Sequence, residues 1–346
     1  MIYNRSLKDY YLRKKNADDH LIPFLLGRSA INFLIELYPI KAIILPRFIC
    51  PILVEIFKHH QVEIFYYESL TSELDVPIND ILTNLSNVQS EHQLFFLWHD
   101  YLNIIGDIPF ELDDYLSKNN IKTIIDATHS LPIKDYKSPV VIYGFRKLLN
   151  EPYGAFVKLD NGLNSVSTSP PSLKLFFFMI AFKIRASLLY IFKITENNFL
   201  NNLSVRLSNV NLKFNFDQSY DFLHDSFQKP SITKKHRRLD YKKIGKNRER
   251  NFHRYAEKLN VSFDLGKLNT SCPYGFPLFI KNNLQLRKKL WNKSIHSFIL
   301  WNKLHPNIEE NKSLVSEYLS KSIIILPVNH DLPIKDIDTV IEAINE

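Results

Sequence analysis

The chain has 346 residues, 45% of them hydrophobic and 23% charged, with a formal net charge of +8. That length fits two domains, each able to bury its own core, and the composition is that of a soluble globular protein. Two cysteines, Cys50 and Cys272, exclude a disulfide scaffold and a cysteine-rich metal site; eight glycines, with no GxGxxG, no GxxxxGKS/T and no internal repeat, exclude a glycine-rich nucleotide cradle.

Residues 1–19 are polar and basic and predict an N-terminal arm. Their lack of an apolar core argues against a signal peptide and predicts a cytoplasmic protein. Gly27-Arg28-Ser29-Ala30 then opens a helical apolar pattern through Ile31, Leu34, Ile35 and Tyr38. Free backbone N–H groups and the positive dipole end make such a start either a phosphate seat, with Arg28 as a further contact, or a plain N-cap.

Beyond it, Ala42–Leu45 predicts a strand, Pro51–His59 a helix, Val62–Tyr66 a strand and residues 71–91 a connecting helix and loop. Leu94–Trp98 reads as a strand, Phe110–Asn119 as a helix, and Ile121–Ile125, Val140–Phe145 and Gly154–Val157 as three strands. Strands separated by helices at this spacing predict an α/β fold with a mainly parallel sheet. The strand ends carry Arg47, Glu68, His99, Asp126 and Arg146-Lys147. A run of polar strand ends points to one site at the carboxyl edge of the sheet, where open α/β sheets bind ligands.

Within that run, a lysine near an aspartate on neighbouring strand ends is what pyridoxal 5'-phosphate chemistry requires. The amine bonds to the cofactor, and the carboxylate keeps the pyridine nitrogen protonated. A surface lysine and a helix-capping aspartate are the plainer account of the same residues.

The rest of the chain adds two unusual stretches. Residues 173–193 are the most apolar window, but Lys183 and Arg185 at its centre argue against a membrane span; a core or dimer-interface helix is expected, with peripheral membrane contact as the alternative. Residues 229–254 carry eleven Lys or Arg against Asp240 and Glu249. With few aromatics between them, and with Leu239, Ile244, Phe252 and Tyr255 as an apolar seam, they predict a solvated helix face rather than a nucleic-acid site. After Pro273, strands at Phe276–Ile280 and Ile323–Leu326 and helices at Leu284–Lys293 and Ile334–Ile344 predict a smaller C-terminal α+β domain. The division falls in the Asn-rich segment 195–220, giving a large domain over 20–205 and a small one over 206–346.

In this order the motifs resemble the DegT/DnrJ-type sugar aminotransferases, fold-type I pyridoxal-phosphate enzymes. Gly27-Arg28-Ser29-Ala30-Ile31 resembles the phosphate-cup helix start, and Leu45–Tyr67 the helix and strand that follow. His99-Asp100-Tyr101 is similar to the His-x-aromatic of a central strand, and Ile125-Asp126-Ala127-Thr128-His129-Ser130 to the cofactor-aspartate motif. Phe145-Arg146-Lys147 with Gly154-Ala155 resembles the Schiff-base lysine loop, while Arg248, Arg250, Asn251, Tyr255, Trp301 and Leu326-Pro327 resemble later family segments. Three positions depart from the pattern: Gly144 stands where a phosphate-contacting serine is usual, residues 148–153 replace a glycine-rich turn, and Phe48 or Cys50 takes the place of the aromatic that covers the ring.

The resemblance implies a homodimeric aminotransferase that moves an amino group from glutamate to a nucleotide-linked keto sugar for surface polysaccharide or related sugar biosynthesis. Lys147 would be the Schiff-base and proton-transfer residue and Asp126 the partner of the pyridinium nitrogen. His129 would support that carboxylate or the cofactor phenolate; Gly27, Arg28 and Ser29 would seat the phosphate, and His99 and Tyr101 would line the sugar pocket. No metal is implied. The alternatives are a non-catalytic homologue acting as a dimeric or membrane-associated partner, and pyridoxal-phosphate chemistry such as sugar dehydration, against which Lys147 argues because the dehydratase variants replace it with histidine.

Overall fold

The computed structural model describes residues 21–24, 26–132, 134–149, 154–160, 239–310 and 313–346. Seven strands form one sheet: β1 (Leu21–Phe24), β2 (Ala42–Pro46), β3 (Glu63–Tyr67), β4 (Leu94–His99), β5 (Lys122–Ala127), β6 (Val140–Gly144) and β7 (Ala155–Leu159). Their order is β1-β7-β6-β5-β4-β2-β3. The run from β3 to β6 is parallel, and β7 lies antiparallel to both β6 and β1. The interior strands are buried along nearly their whole length, as continuous apolar runs in a sheet covered on both faces must be.

Alternation along each strand sorts the core into two layers. Ile43, Leu45, Leu97, Ile124 and Ile142 face helices α1 (Gly27–Leu37) and α2 (Pro51–His59). Ile44, Phe96, Trp98, Ile125 and Val141 face α3 (Ile78–Ser86) and α4 (Phe110–Lys118), which contribute Ile81, Leu85, Leu112 and Leu116. By the same parity His99, Asp126 and Gly144 belong to the first layer. A short helix α5 (Phe145–Leu149) carries Lys147 directly off the end of β6.

Past residue 238 the described chain continues with α6 (Tyr241–Lys258), β8 (Phe276–Phe279), α7 (Asn283–Asn292), α8 (Pro306–Glu310), α9 (Leu314–Ser322), β9 (Ile323–Leu326) and α10 (Ile334–Asn345). β8 and β9 form an antiparallel pair. Asp240 caps α6 by accepting the Lys243 N–H, a conventional start for a helix so basic. Leu239, Ile244, Phe252 and Tyr255 are buried while Lys242, Lys243 and Lys246 are exposed, which is the solvated basic face that the pattern predicts. The arm 1–19, segment 173–193, the domain division at 195–220, the first part of the basic stretch (229–238) and positions 150–153 lie outside the described residues. No helix among the described residues is long and apolar enough to cross a membrane.

The sequence pattern misses β1, α5, α8 and α9, and it carries the strand before α5 one residue too far, to Phe145. Four residues, LIPF, are too few to show a two-residue period; they become a strand because β7 offers an unpaired edge, with Leu21 opposite Lys158 and Phe24 opposite Ala155.

Candidate active site

Strand register builds the centre of the site. β4 and β5 align His99 with Asp126, so both side chains leave the same face at the carboxyl ends of adjacent strands. The His99 Nδ1 lies 3.1 Å from the Asp126 Oδ2, and the Asp126 Oδ1 accepts the Thr128 N–H at 3.0 Å. Burial pushes the Asp126 carboxyl up, but the His99 ring, the Lys147 charge and the Thr128 bond outweigh it and hold the group down at about 2. A buried anion results.

Lys147 reaches this carboxylate from the next strand end, and its Nζ donates to the Thr128 Oγ1 at 3.2 Å. Gly27 brings the start of α1 to the same threonine: a Cβ there would stand 3.1 Å from the Thr128 Cγ2. The N-cap residue of α1, Leu26, supplies no side-chain cap, and the first turn holds no acidic residue. Arg28 is buried in that turn. Ser29 is fully buried, and its Oγ has no hydrogen-bond partner among the described residues. Uncapped N–H groups, a dipole end and an unpartnered hydroxyl make a seat for an anion.

His129 is bonded to the turn after β4. Its Nδ1 accepts the Leu102 N–H at 3.1 Å, so a neutral ring carries its proton on Nε2, where no partner is present among the described residues. Burial, then the charges of Lys147 and His99, push its pKa well down, so the neutral form holds. It is His99, expected to line a sugar pocket, that touches the Asp126 carboxylate; His129 stacks on Tyr274 with ring centroids 4.8 Å apart and planes at 6°.

The remaining predicted residues form an aromatic wall. Phe48 packs on Tyr101 at 5.4 Å and on Trp301 at 4.9 Å, and Trp301 also meets His99 at 5.3 Å. Tyr101 is buried; burial raises its pKa, and its hydroxyl has no partner among the described residues. Cys50 is half-buried at the N-cap of α2. The turn after β4 is held in an unusual conformation, with Leu102 and Asn103 at φ 53° and 57°. Such left-handed residues cost of order 1–3 kcal/mol each and persist only where other bonds fix them. Here Leu102 is bonded on both sides, its N–H to His129 and its carbonyl to the Tyr274 N–H at 2.8 Å, while the Asn103 side chain donates to the Cys272 carbonyl at 2.6 Å.

Three roles escape the sequence reading: Thr128 as the hinge of the lysine and aspartate contacts, Tyr274 as the stacking partner of His129, and Arg248, named there only as part of a resembling segment, as the donor to the Leu148 carbonyl at the end of α5. Thr128 lies inside the recognised motif; Tyr274 carries no local signal. Gly144 explains one departure. A Cβ at this position would lie 1.9 Å from the Thr128 carbonyl oxygen, so a serine does not fit between β6 and the Asp126 turn. The Arg47 and Glu68 strand ends do not join Asp126 and Lys147; they pair with each other at 3.3 Å.

The sequence matches no protein-family profile and no curated protein. Solved structures do match. A DegT DnrJ EryC1 StrS aminotransferase from Brucella abortus shares 12% identity at a TM-score of 0.61, over 99% of this chain and 90% of that one. DesV of S. venezuelae, solved in complex with a ketimine intermediate, shares 10% at 0.60 over 99% and 89%. A sugar aminotransferase from Streptococcus pneumoniae, Spr1654 in its PMP-form, shares 11% at 0.58 over 99% and 89%. Identities this low define the fold: a mostly parallel seven-stranded sheet flanked by helices, the architecture of the fold-type I pyridoxal-phosphate aminotransferases.

Proposed function

We propose that the chain is a pyridoxal-phosphate-dependent aminotransferase that uses glutamate as donor and a nucleotide-linked keto sugar as acceptor, and that it works as a homodimer. The observation that carries this reading is the buried, ionised Asp126 beside Lys147 at the uncapped start of α1. The donor set fits the cofactor: a carboxylate to keep a ring nitrogen protonated, a primary amine, and an anion seat with the unpartnered Ser29 Oγ. When bound, pyridoxal phosphate supplies an electron-accepting ring.

The chain's own groups then divide the work. Asp126, held ionised by His99 and the Thr128 N–H, orients and charges the ring nitrogen. Lys147 would hold the cofactor through Nζ, and the same amine would carry a proton in the transfer. The α1 start with Arg28 and Ser29 binds the phosphate, and the wall of Phe48, Tyr101 and Trp301 excludes water. The +8 charge favours a diphosphate-bearing substrate, and the sugar aminotransferases with this fold support the acceptor class.

Purified protein mixed with pyridoxal phosphate is expected to show a visible absorbance band that Lys147→Ala lacks and that glutamate shifts. No band in the wild type overturns the enzyme reading. A band that ignores amino donors favours pyridoxal-phosphate chemistry other than transamination.

A further inference from the structure

Asp126 and Lys147 bring opposite charges to the ends of neighbouring strands, and one residue stands between them. Thr128 is the first residue past β5. Its turn is closed by the Ser130 N–H on the Ala127 carbonyl at 2.8 Å and fastened to β6 by the Gly144 N–H on the Ser130 carbonyl at 3.1 Å. The Thr128 N–H goes to the Asp126 Oδ1 at 3.0 Å, and its Oγ1 accepts from the Lys147 Nζ at 3.2 Å. Anion and cation are thus bonded to the same residue through different atoms.

The direction of the hydroxyl is fixed by shape. Threonine is stiff at χ1 because two heavy atoms branch from its Cβ, and here the methyl lies against α1: a Cβ on Gly27 would stand 3.1 Å from the Cγ2, tighter than ordinary contact. On the other side, a Cβ on Gly144 would lie 1.9 Å from the Thr128 carbonyl oxygen, so β6 closes on the backbone of the turn. With the methyl seated on Gly27 and the backbone held, Oγ1 is the side-chain atom left to meet Lys147.

Without that acceptor the amine has a stronger place to go. The Lys147 charge lowers the pKa of the Asp126 carboxyl and of the His129 ring, so both lie within its field, and of the two only Asp126 is an anion. Arg28, next to Gly27 on α1, and Arg146, next to Lys147 on α5, are cations and repel an ammonium. A buried carboxylate attracts an ammonium more strongly than a hydroxyl does. An amine bonded to Asp126 would occupy the carboxylate meant for the ring nitrogen, and would itself be held protonated.

We infer that Thr128 is a positioning residue whose hydroxyl holds the Lys147 amine off the Asp126 carboxylate. Its purpose rests on the cofactor reading, but its test does not. Full-length protein without cofactor is labelled with trace acetic anhydride between about pH 7 and 12, across the ordinary lysine range, and acetylation of Lys147 is read by peptide mass spectrometry. Thr128→Val, which keeps the shape and removes the acceptor, is expected to raise the pH midpoint of Lys147 labelling by about 1 unit, as a closer opposite charge does. Thr128→Ser, which keeps the acceptor, is expected to raise it by less than half as much, and Thr128→Val in an Asp126→Asn background not at all. A midpoint that falls or stays put in Thr128→Val, equal shifts for Thr128→Val and Thr128→Ser, or a rise that survives Asp126→Asn overturns the inference. A missing visible band in the wild type with pyridoxal phosphate overturns the cofactor reading alone, because the labelling contains no cofactor.

Discussion

Asp126 keeps its charge where burial alone would remove it. Its carboxyl is held at about 2, against an ordinary value of 3.8, by His99, Lys147 and the Thr128 N–H acting against desolvation. A depressed folded-state value means that the contribution to stability is complete above about pH 4 and is lost as pH falls through about 2. The shift corresponds to about 2 kcal/mol. Urea unfolding of wild type and Asp126→Asn from pH 5 down to 2 is therefore expected to show the wild-type advantage shrinking by about that amount. A difference that stays constant over this range would show that the carboxylate gains nothing from its neighbours.

Among the elements, α6 ties the site together through Arg248. The guanidinium donates to the Pro273 carbonyl at 2.7 Å, to the Tyr274 carbonyl at 2.8 Å and to the Leu148 carbonyl at 3.3 Å. One buried side chain thus fixes both the end of the Lys147 helix and the ring that stacks on His129. Arg248→Met leaves those carbonyls without this donor and is expected to cost about 3 kcal/mol or more in denaturant unfolding, whereas Lys246→Ala on the exposed face of the same helix should stay within about 0.5 kcal/mol. Comparable losses for the two would refute the clamp. Arg248 also marks where sequence reading stops. The parallel strands and their polar ends are legible because apolar runs and turns are local signals, and so is the apolar seam of α6. The clamp, the left-handed turn at Leu102 and Asn103, the contact of His99 with Asp126 and the stacking of His129 on Tyr274 depend on contacts between residues far apart in the chain. β1 exists only because β7 has a free edge.

At the scale of the whole molecule, the first core layer does not stop where the sheet ends. Leu45, Leu97 and Ile124 under the sheet share one buried cluster with Phe252, Phe276 and Ile325 of the later elements. Polar contacts cross at the same places: His305 pairs with Glu55 of α2 at 2.7 Å, and Ser313 and Ser316 bond to Glu68 beyond β3. A division of the chain into a large and a small domain is proposed near residues 195–220, yet separating two such units would expose part of this shared apolar cluster, and each buried CH2 uncovered costs about 0.8 kcal/mol. Opening either part alone is then more costly than its own packing implies, so the two should unfold together. Native-state hydrogen exchange is expected to give the Ile125 amide in β5 and the Ile325 amide in β9 limiting free energies within about 1 kcal/mol of each other, with the same dependence on denaturant. A value for Ile325 several kcal/mol lower, with a smaller denaturant slope, would mean that the late elements open as an independent unit and that the shared layer contributes little to holding Trp301 and Tyr274 over the site.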